Sequence, residues 1–267
     1  MLRVTDVITF AGVTAASFLL ILRHQLTIQK RKRKRKNIFP NLLHFSTNPY
    51  TPEPCYHQIN IDYPGLEWIH QAPDIFLIHD FCTPDECDQL ITKATGKLVP
   101  SNIRGTGYGE YRTSSQVTCT QREVPTLVTK LTALLSCTSD QLEKFNIVHY
   151  KKGAFYKEHC DEDDGPDTMN GFVESQRLVS VIVYLNHVEN GGETNFLNTG
   201  ISIKPEKGMV VLHFPGTTEY EMDPRTLHEG ARAVDQKWIV VTWMWLTKRV
   251  TKGFLEEDLT RLSESVI

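Results

Sequence analysis

The sequence predicts a mainly β fold with flanking helices, of the β-sandwich or jelly-roll type. Two amphipathic helical patterns come first, and short runs rich in Val, Ile, Tyr and Trp follow, separated by Gly, Pro, Asp and Asn clusters. Helices followed by many short strands favour a sandwich or jelly roll with helices at its side. The 267 residues are 40% hydrophobic and 23% charged, which excludes collagen-like, low-complexity and wholly disordered classes.

An uncharged, mostly apolar segment lies at residues 7–22. Its length falls just below the roughly 17–25 residues of a membrane-spanning helix. We predict a membrane-anchor helix over 1–24 and a basic stalk and linker over 25–70. A cleaved signal or organellar presequence and a buried helix are the alternatives. The basic run Lys30–Lys36 follows the apolar segment, and the positive-inside rule would hold that side in the cytosol.

The net charge of −3 hides an asymmetry between this run and the rest of the chain. Without Lys30–Lys36, 22 Lys and Arg face 32 Asp and Glu, a net charge of −10. A nucleic-acid-binding domain would spread basic charge over a folded face, so we predict no nucleic-acid partner. Beside an apolar segment, the run fits a stalk near anionic lipid head groups.

The first folded elements are a strand over Asp74–Asp80 and a helix that begins after Thr83. Thr83–Glu86 is a capping box with proline at the first helical position, and apolar residues then recur at helical spacing. A second helix is predicted over Val124–Leu135, with Leu127, Leu131 and Leu134 on one face. The later strands are predicted over Phe145–Tyr150, Leu178–Leu185, Gly208–Phe214 and Trp238–Trp245.

The pattern His159-Cys160-Asp161 is a candidate metal site. On an extended segment the His and Asp side chains point to the same face and could bind one ion together. His228, before another strand, would complete two histidines and one carboxylate, which leaves three coordination positions open as in non-haem Fe(II) oxygenases. The six cysteines form no CxxC pair, so no zinc knuckle is indicated and disulfide pairing stays open.

The other eight histidines have no acidic or histidine partner at a useful sequence spacing, and we expect structural roles for them. They are His24, His44, His57, His70, His79, His149, His187 and His213.

Four separated motifs resemble the prolyl 4-hydroxylase family of 2-oxoglutarate- and Fe(II)-dependent dioxygenases, from about Pro73 to Leu246. They are Val148–Asp161 with its metal-binding pattern, Arg177–Asn186, Gly191–Phe196, and His228-Glu229-Gly230 followed by Lys237-Trp238 and Trp243. Tyr111–Ser115 also resembles the family's Arg-Thr-Ser segment. The resemblance implies a double-stranded β-helix (jelly-roll) dioxygenase domain over 71–250, with a catalytic core at 143–247 and a C-terminal helix or tail at 251–267.

The resemblance also implies the roles of single residues. The iron ligands would be His159, Asp161 and His228. The cosubstrate 2-oxoglutarate would be bound by Lys237, Tyr150 and Thr194, and the peptide groove would be lined by Arg177, Tyr156 and Trp243. Structural alternatives are a core tryptophan for Trp243, a strand hydroxyl for Thr194 and a surface ion pair for Arg177. No side-chain base is needed, so none is assigned.

Lys237 stands nine residues after His228, one fewer than is usual in the family. A one-residue slip within a strand would turn the side chain to the opposite face. Because Lys237, Ile239, Val241 and Trp243 keep the family's parity, we place the deletion in the turn Ala231–Gln236 and expect Lys237 to face the pocket. Arg232 is the alternative cation.

The implied activity is hydroxylation of peptidyl proline to 4-hydroxyproline with O₂, Fe(II) and 2-oxoglutarate, releasing succinate and CO₂, with ascorbate as reductant. A hydroxylase of another side chain or small molecule is the first alternative. The second is a non-catalytic jelly-roll binding module, against which the intact His159, Asp161, His228 and Lys237 argue. The resemblance favours a location at the endoplasmic reticulum membrane. The basic residues after the apolar segment favour a cytosolic position for the part of the chain that follows them. The oligomeric state is open.

Overall fold

The computed structural model describes residues 59–101, 111–161, 177–216 and 222–245. Within these ranges the elements are two α-helices, twelve β-strands and three short 3₁₀-helices, the last at Gln121–Glu123, Ser139–Gln141 and Pro224–Thr226. The helices are α1 (Pro84–Ala94) and α2 (Pro125–Leu135). The strands are β1 (Glu67–His70), β2 (Ile75–Ile78), β3 (Val99–Pro100), β4 (Ser115–Cys119), β5 (Phe145–Tyr150), β6 (Tyr156–His159), β7 (Arg177–Tyr184), β8 (Thr194–Phe196), β9 (Ile201–Ile203), β10 (Val210–His213), β11 (His228–Gly230) and β12 (Lys237–Trp245).

The strands form two sheets. The larger has the order β1-β2-β10-β7-β12-β5-β4-β3, and the smaller has the order β6-β11-β8-β9. The described strand pairs are antiparallel. A mainly β architecture of two antiparallel sheets with flanking helices confirms the jelly-roll prediction for this part of the chain.

Strand β7 shows how the layers are arranged, because it is buried on both faces. Val181 and Val183 belong to the apolar cluster that contains the buried residues of α1 and α2. Ile182 and Tyr184, on the opposite face, pack in a second cluster with Phe196 of the smaller sheet. Successive side chains of a strand point to opposite faces, so a nearly continuous apolar run fits a strand that is covered on both sides.

The predicted capping box begins α1. The Thr83 hydroxyl accepts a hydrogen bond from the Glu86 amide at 3.2 Å, and the Glu86 carboxylate accepts one from the Thr83 amide at 2.8 Å. Cys87, Leu90 and Ala94 are buried on the sheet side of the helix. This reciprocal bonding satisfies two amides that the helix itself leaves free, and it fixes where the helix starts.

The folded domain starts earlier than the predicted boundary at residue 71. Strand β1 pairs with β2, Trp68 stacks on Phe76 at 5.6 Å, and Ile59 is buried in the core. The segment 59–70 therefore belongs to the domain, although it lies within the predicted linker. The one proline of this segment, Pro64, lies before β1 and thus interrupts no strand.

The predicted anchor at 1–24, the stalk up to residue 58 and the tail at 251–267 lie outside the described residues. In the ranges that are described, no helix has both the length and the apolar character needed to cross a membrane.

Candidate active site

His159, Asp161 and His228 come together between the ends of β6 and β11. The two histidines lie directly opposite each other in the register of these strands. One potential ligand atom from each of the three residues lies within 4.8 Å of the other two. Asp161 Oδ1 is 3.7 Å from His159 Nε2, and Asp161 Oδ2 is 3.8 Å from His228 Nε2. Two imidazoles and one carboxylate in this arrangement fit a divalent transition metal with open coordination positions.

Backbone carbonyls fix the orientation of both imidazoles. His159 Nδ1 lies 2.8 Å from the Lys157 carbonyl oxygen, and His228 Nδ1 lies 2.9 Å from that of Thr226. A carbonyl can only accept, so each Nδ1 carries the proton and each Nε2 presents a lone pair to the centre of the site. Burial, together with His228, lowers the pKa of His159 to about 3, so this ligand is neutral at neutral pH.

The Asp161 carboxylate is buried and charged. Burial alone would raise its pKa, but the neighbouring His228, His159, His213 and Arg177 outweigh burial and lower it. The residues present thus fit a metal ion well, because an anionic carboxylate and two neutral imidazoles are the protonation states that a metal needs.

A cavity of about 410 Å³ opens beside these three residues and contains all nine of the sequence-predicted site residues in its lining. Lys237 lies at one end of it, almost fully buried, with Nζ 4.4 Å from the centre of the Tyr150 ring and 2.7 Å from the Gly192 carbonyl oxygen. Burial lowers the pKa of Lys237 to about 7. A buried ammonium group in this position is suited to bind an anionic group of a ligand.

Lys237 faces the cavity although it is closer in sequence to His228 than is usual in the family. It is in register with Tyr150 of β5, and its side chain faces the cavity as the strand parity predicts. The turn before β12 packs against Gly191, which has a φ of +69°; a Cβ atom there would lie 2.5 Å from the Arg232 carbonyl oxygen, so only glycine fits at position 191. The Arg232 side chain is exposed and donates to the Gly153 carbonyl, outside the cavity.

Thr194 is oriented by a tyrosine to which sequence reasoning gave no role. The Tyr184 hydroxyl donates to Thr194 Oγ1 at 2.7 Å, and both residues are buried. Because the Thr194 oxygen accepts this bond, its own hydrogen is available to a ligand in the cavity.

Arg177 lines another part of the cavity, where contacts with three residues fix its orientation. Its guanidinium binds both oxygens of Glu143, at 2.8 and 3.3 Å, and donates to the Asp161 carbonyl oxygen at 3.2 Å. It also lies 3.8 Å above the Trp243 ring. Arg177 does form the ion pair of the structural alternative, but it also lines the cavity. Trp243 lines it too and is only partly buried, unlike a core tryptophan.

Tyr156 stacks on a metal-site histidine. Its ring lies 3.7 Å from the His159 ring at an interplanar angle of 18°, and the Arg112 guanidinium lies 4.5 Å above its other face. Burial raises the pKa of the Tyr156 hydroxyl to about 12. The sequence assigns no role to Arg112, which belongs to the Arg-Thr-Ser segment. In the structure Arg112 lines the cavity.

His213, for which we expected a structural role, lies near the acidic residue of the candidate metal site. Its Nε2 lies 3.7 Å from Asp161 Oδ2, although 52 residues separate the two in the sequence. A spacing search along one chain cannot find such a pair, because the contact depends on the order of the strands in the fold.

A jelly roll that encloses two histidines and an aspartate beside a buried lysine defines the class of protein, a non-haem metal-dependent oxygenase. Residues 145–245 match the 2OG-Fe(II) oxygenase superfamily. Prolyl 4-hydroxylase 1 of Arabidopsis thaliana is 31% identical over 67% of this chain and 71% of its own length. Prolyl 4-hydroxylase 13 of the same plant is 27% identical over 69% of this chain and 74% of its own length.

A solved structure agrees with these relatives. The viral collagen prolyl hydroxylase of Paramecium bursaria Chlorella virus 1, in complex with 2-oxoglutarate, matches 65% of this chain and 96% of its own chain, with 27% identity and a TM-score of 0.51. The chain therefore belongs to the prolyl 4-hydroxylase family of 2-oxoglutarate- and Fe(II)-dependent oxygenases, and Fe(II) and 2-oxoglutarate are its cofactor and cosubstrate.

Proposed function

We propose that this protein hydroxylates proline residues of a peptide or protein to 4-hydroxyproline. The observation that carries the proposal is the cavity itself. Three ligand atoms that fit Fe(II) lie beside it, a buried lysine lies at one end, and an arginine–tryptophan pair lies at another part of its wall. The relatives named above, whose names describe prolyl hydroxylases, support proline as the substrate residue.

In this proposal His159, Asp161 and His228 bind Fe(II). Bound iron and 2-oxoglutarate supply the oxidising chemistry, in which O₂ is consumed and succinate and CO₂ are released. The protein contributes position and a dry environment, because both imidazoles are locked by backbone carbonyls and the carboxylate is buried.

Lys237, Tyr150 and Thr194 bind 2-oxoglutarate at the buried end of the cavity. The Lys237 ammonium pairs with the distal carboxylate, and the two hydroxyls donate hydrogen bonds to the same molecule. In the structure, Lys237 Nζ donates to a backbone carbonyl, which holds the cation in position before 2-oxoglutarate binds. This carbonyl is a weaker partner than a carboxylate.

Arg177, Tyr156 and Trp243 contact the peptide. Each is held in one orientation: Arg177 by Glu143, Trp243 beneath the Arg177 guanidinium, and Tyr156 between Arg112 and His159. Rigid aromatic and guanidinium surfaces give a proline ring and its flanking peptide bonds a defined position near the metal.

The test of the substrate class is a matched panel of peptides. The full-length protein with Fe(II), 2-oxoglutarate and ascorbate is incubated with proline-rich peptides and with versions in which each proline is alanine. Mass spectrometry should locate one added oxygen atom on proline in the first set and none in the second. An oxygen on another side chain, or on the alanine versions, would assign the protein to the other hydroxylases of its class.

The lowered pKa of Lys237 predicts that 2-oxoglutarate binding weakens as pH rises. The free enzyme loses the ammonium proton near pH 7, whereas a bound carboxylate favours the charged form and raises the pKa again. Binding above about pH 7 therefore takes up a proton, and Kd should rise about tenfold per pH unit until the pKa of the complex is reached.

Calorimetric titration of the Mn(II)-loaded protein with 2-oxoglutarate, from neutral to mildly alkaline pH, measures this slope. Lys237→Arg is the control, because a guanidinium keeps its charge over the whole range and its Kd should not change with pH. A wild-type Kd that is equally flat would contradict the assignment.

We further propose that residues 7–22 anchor the protein in the endoplasmic reticulum membrane. The support is the uncharged apolar sequence and the basic run after it. In intact microsomes the protein should resist carbonate extraction, and proteolysis with and without detergent should report the side on which the catalytic domain lies. Complete release by carbonate would exclude an anchor.

A further inference from the structure

His213 is a buried histidine beside the metal site that no role described so far uses. It ends β10, has no exposed surface, and lies opposite Ser180 of β7 in the strand register. Among the residues that the structure describes, neither of its ring nitrogens has a hydrogen-bond partner. An imidazole that is buried without partners is costly, so its presence needs an explanation.

The surroundings of His213 point to Asp161. Its ring packs edge-on against the rings of Phe196 and His228, at centroid distances of 5.2 and 4.8 Å. Of the two Asp161 oxygens, Oδ1 is 3.7 Å from His159 Nε2, while Oδ2 is 3.7 Å from His213 Nε2. Oδ2 also lies 3.8 Å from His228 Nε2, so this oxygen faces both a metal-ligand histidine and the unpartnered imidazole.

His213 is not a member of the ligand group itself. Within the described ranges, the one set of three or more potential ligands with all atoms within 4.8 Å of one another is His159, Asp161 and His228. The polar contact of His213 with that set is its approach to the Asp161 carboxylate, while its ring packs against the His228 ring, so we assign it no direct contribution to the metal.

We propose that His213 is a positioning residue for the iron ligand Asp161. It donates its Nε2 hydrogen to Oδ2 and so fixes the orientation of the carboxylate, whose oxygens face His159 and His228. The distance of 3.7 Å exceeds that of a hydrogen bond by about 0.8 Å, which a small rotation of the two side chains can close.

This inference rests on the proposed metal site and adds a residue to it. Carboxylates that bind metals are usually hydrogen-bonded to a neighbouring group, and loss of such a partner costs about 10- to 100-fold in metal affinity. We therefore expect His213→Phe, which keeps a planar ring, to raise the Kd for Mn(II) about 10- to 100-fold.

The stability of the metal-free protein separates positioning from packing. Replacing an unpartnered buried imidazole with an apolar ring of similar shape should leave the unfolding temperature of metal-free His213→Phe unchanged or raised. The increase in unfolding temperature on adding Mn(II) should shrink, because weaker binding stabilises the native state less.

The experiment is calorimetric titration of full-length wild type and variants with Mn(II), together with thermal unfolding with and without the metal. His213→Gln places an amide donor near the position of Nε2 and should recover part of the lost affinity. His149→Phe is the matched control, since His149 is also a strand histidine with an unpartnered buried nitrogen, but it stacks on Trp238 and does not line the cavity.

Weak Mn(II) binding by His213→Phe, partial recovery by His213→Gln and wild-type binding by His149→Phe would support the proposal. Equal affinities of wild type and His213→Phe would overturn it while leaving the metal site intact. So would a large loss of metal-free stability in both His213 variants, which would make the residue a packing element. A wild-type protein that binds no Mn(II) would overturn the metal site as well.

Discussion

We expect His159→Ala or His228→Ala to abolish turnover and to weaken Fe(II) binding by more than about 100-fold, which is the upper range for losing a residue that only supports a ligand. Each histidine supplies one of three ligand atoms, and two remaining atoms cannot hold iron against water and buffer. The measurements are succinate formation from 2-oxoglutarate and calorimetric titration with Mn(II).

His79→Ala is the control for this result. His79 is an exposed histidine paired with Glu206 at 2.9 Å, so its loss removes a surface contact and leaves the metal site untouched. Circular dichroism of the metal-free proteins would verify that all variants fold. Full metal affinity in either His159→Ala or His228→Ala would remove that residue from the ligand set.

The second large effect concerns Lys237→Met, which keeps the length of the side chain and removes its charge. We expect 2-oxoglutarate affinity to fall by roughly 30- to 4000-fold, because truncating one partner of a buried charge pair costs about 2–5 kcal/mol. Mn(II) affinity should stay at the wild-type value, since Lys237 is not a member of the ligand group. Titration of the Mn(II)-loaded protein with 2-oxoglutarate measures the change.

The stability of the Lys237→Met protein and a control variant at Arg232 make the Lys237→Met test specific. Burial opposes the charge of Lys237, so the ligand-free Lys237→Met protein should be at least as stable as wild type. Arg232→Met should bind 2-oxoglutarate normally, because Arg232 is exposed and contacts Phe155 and Gly153 outside the cavity. Weak 2-oxoglutarate binding by Arg232→Met, together with normal binding by Lys237→Met, would show that Arg232 and not Lys237 binds the cosubstrate.

The long buried strands and the helices could be predicted from the sequence. Strands β5, β7 and β12 are apolar runs of six to nine residues, and α1 carries its start signal in Thr83 and Glu86. Strand parity also predicted that Lys237 faces the cavity, and the structure places it in the cavity lining.

Several other elements could not be predicted, because their stability comes from partners distant in the sequence. Strands β8, β9 and β11 have three residues each, too few to show a period, and they exist because they pair with one another. The edge strand β1 is held by β2 and by the stacking of Trp68 on Phe76.

The supporting residues of the site were missed for the same reason. Glu143 binds Arg177 across 34 positions. Tyr184 of β7 in the larger sheet orients Thr194 of β8 in the smaller sheet, and His213 of β10 in the larger sheet lies near Asp161, which follows β6 of the smaller sheet. Motif spacing identifies the residues that act on ligands, whereas strand order determines which residues hold them in place.

We expect this chain to couple 2-oxoglutarate turnover to hydroxylation of peptidyl proline. The ratio of succinate to 4-hydroxyproline, formed by the full-length protein with Fe(II), 2-oxoglutarate, O₂, ascorbate and a proline-rich peptide, measures this coupling. One hydroxyproline should form for each succinate above the peptide-free background, and no such increase should occur with His159→Ala. Succinate formation that no proline peptide stimulates, with no hydroxyproline detected, would contradict it.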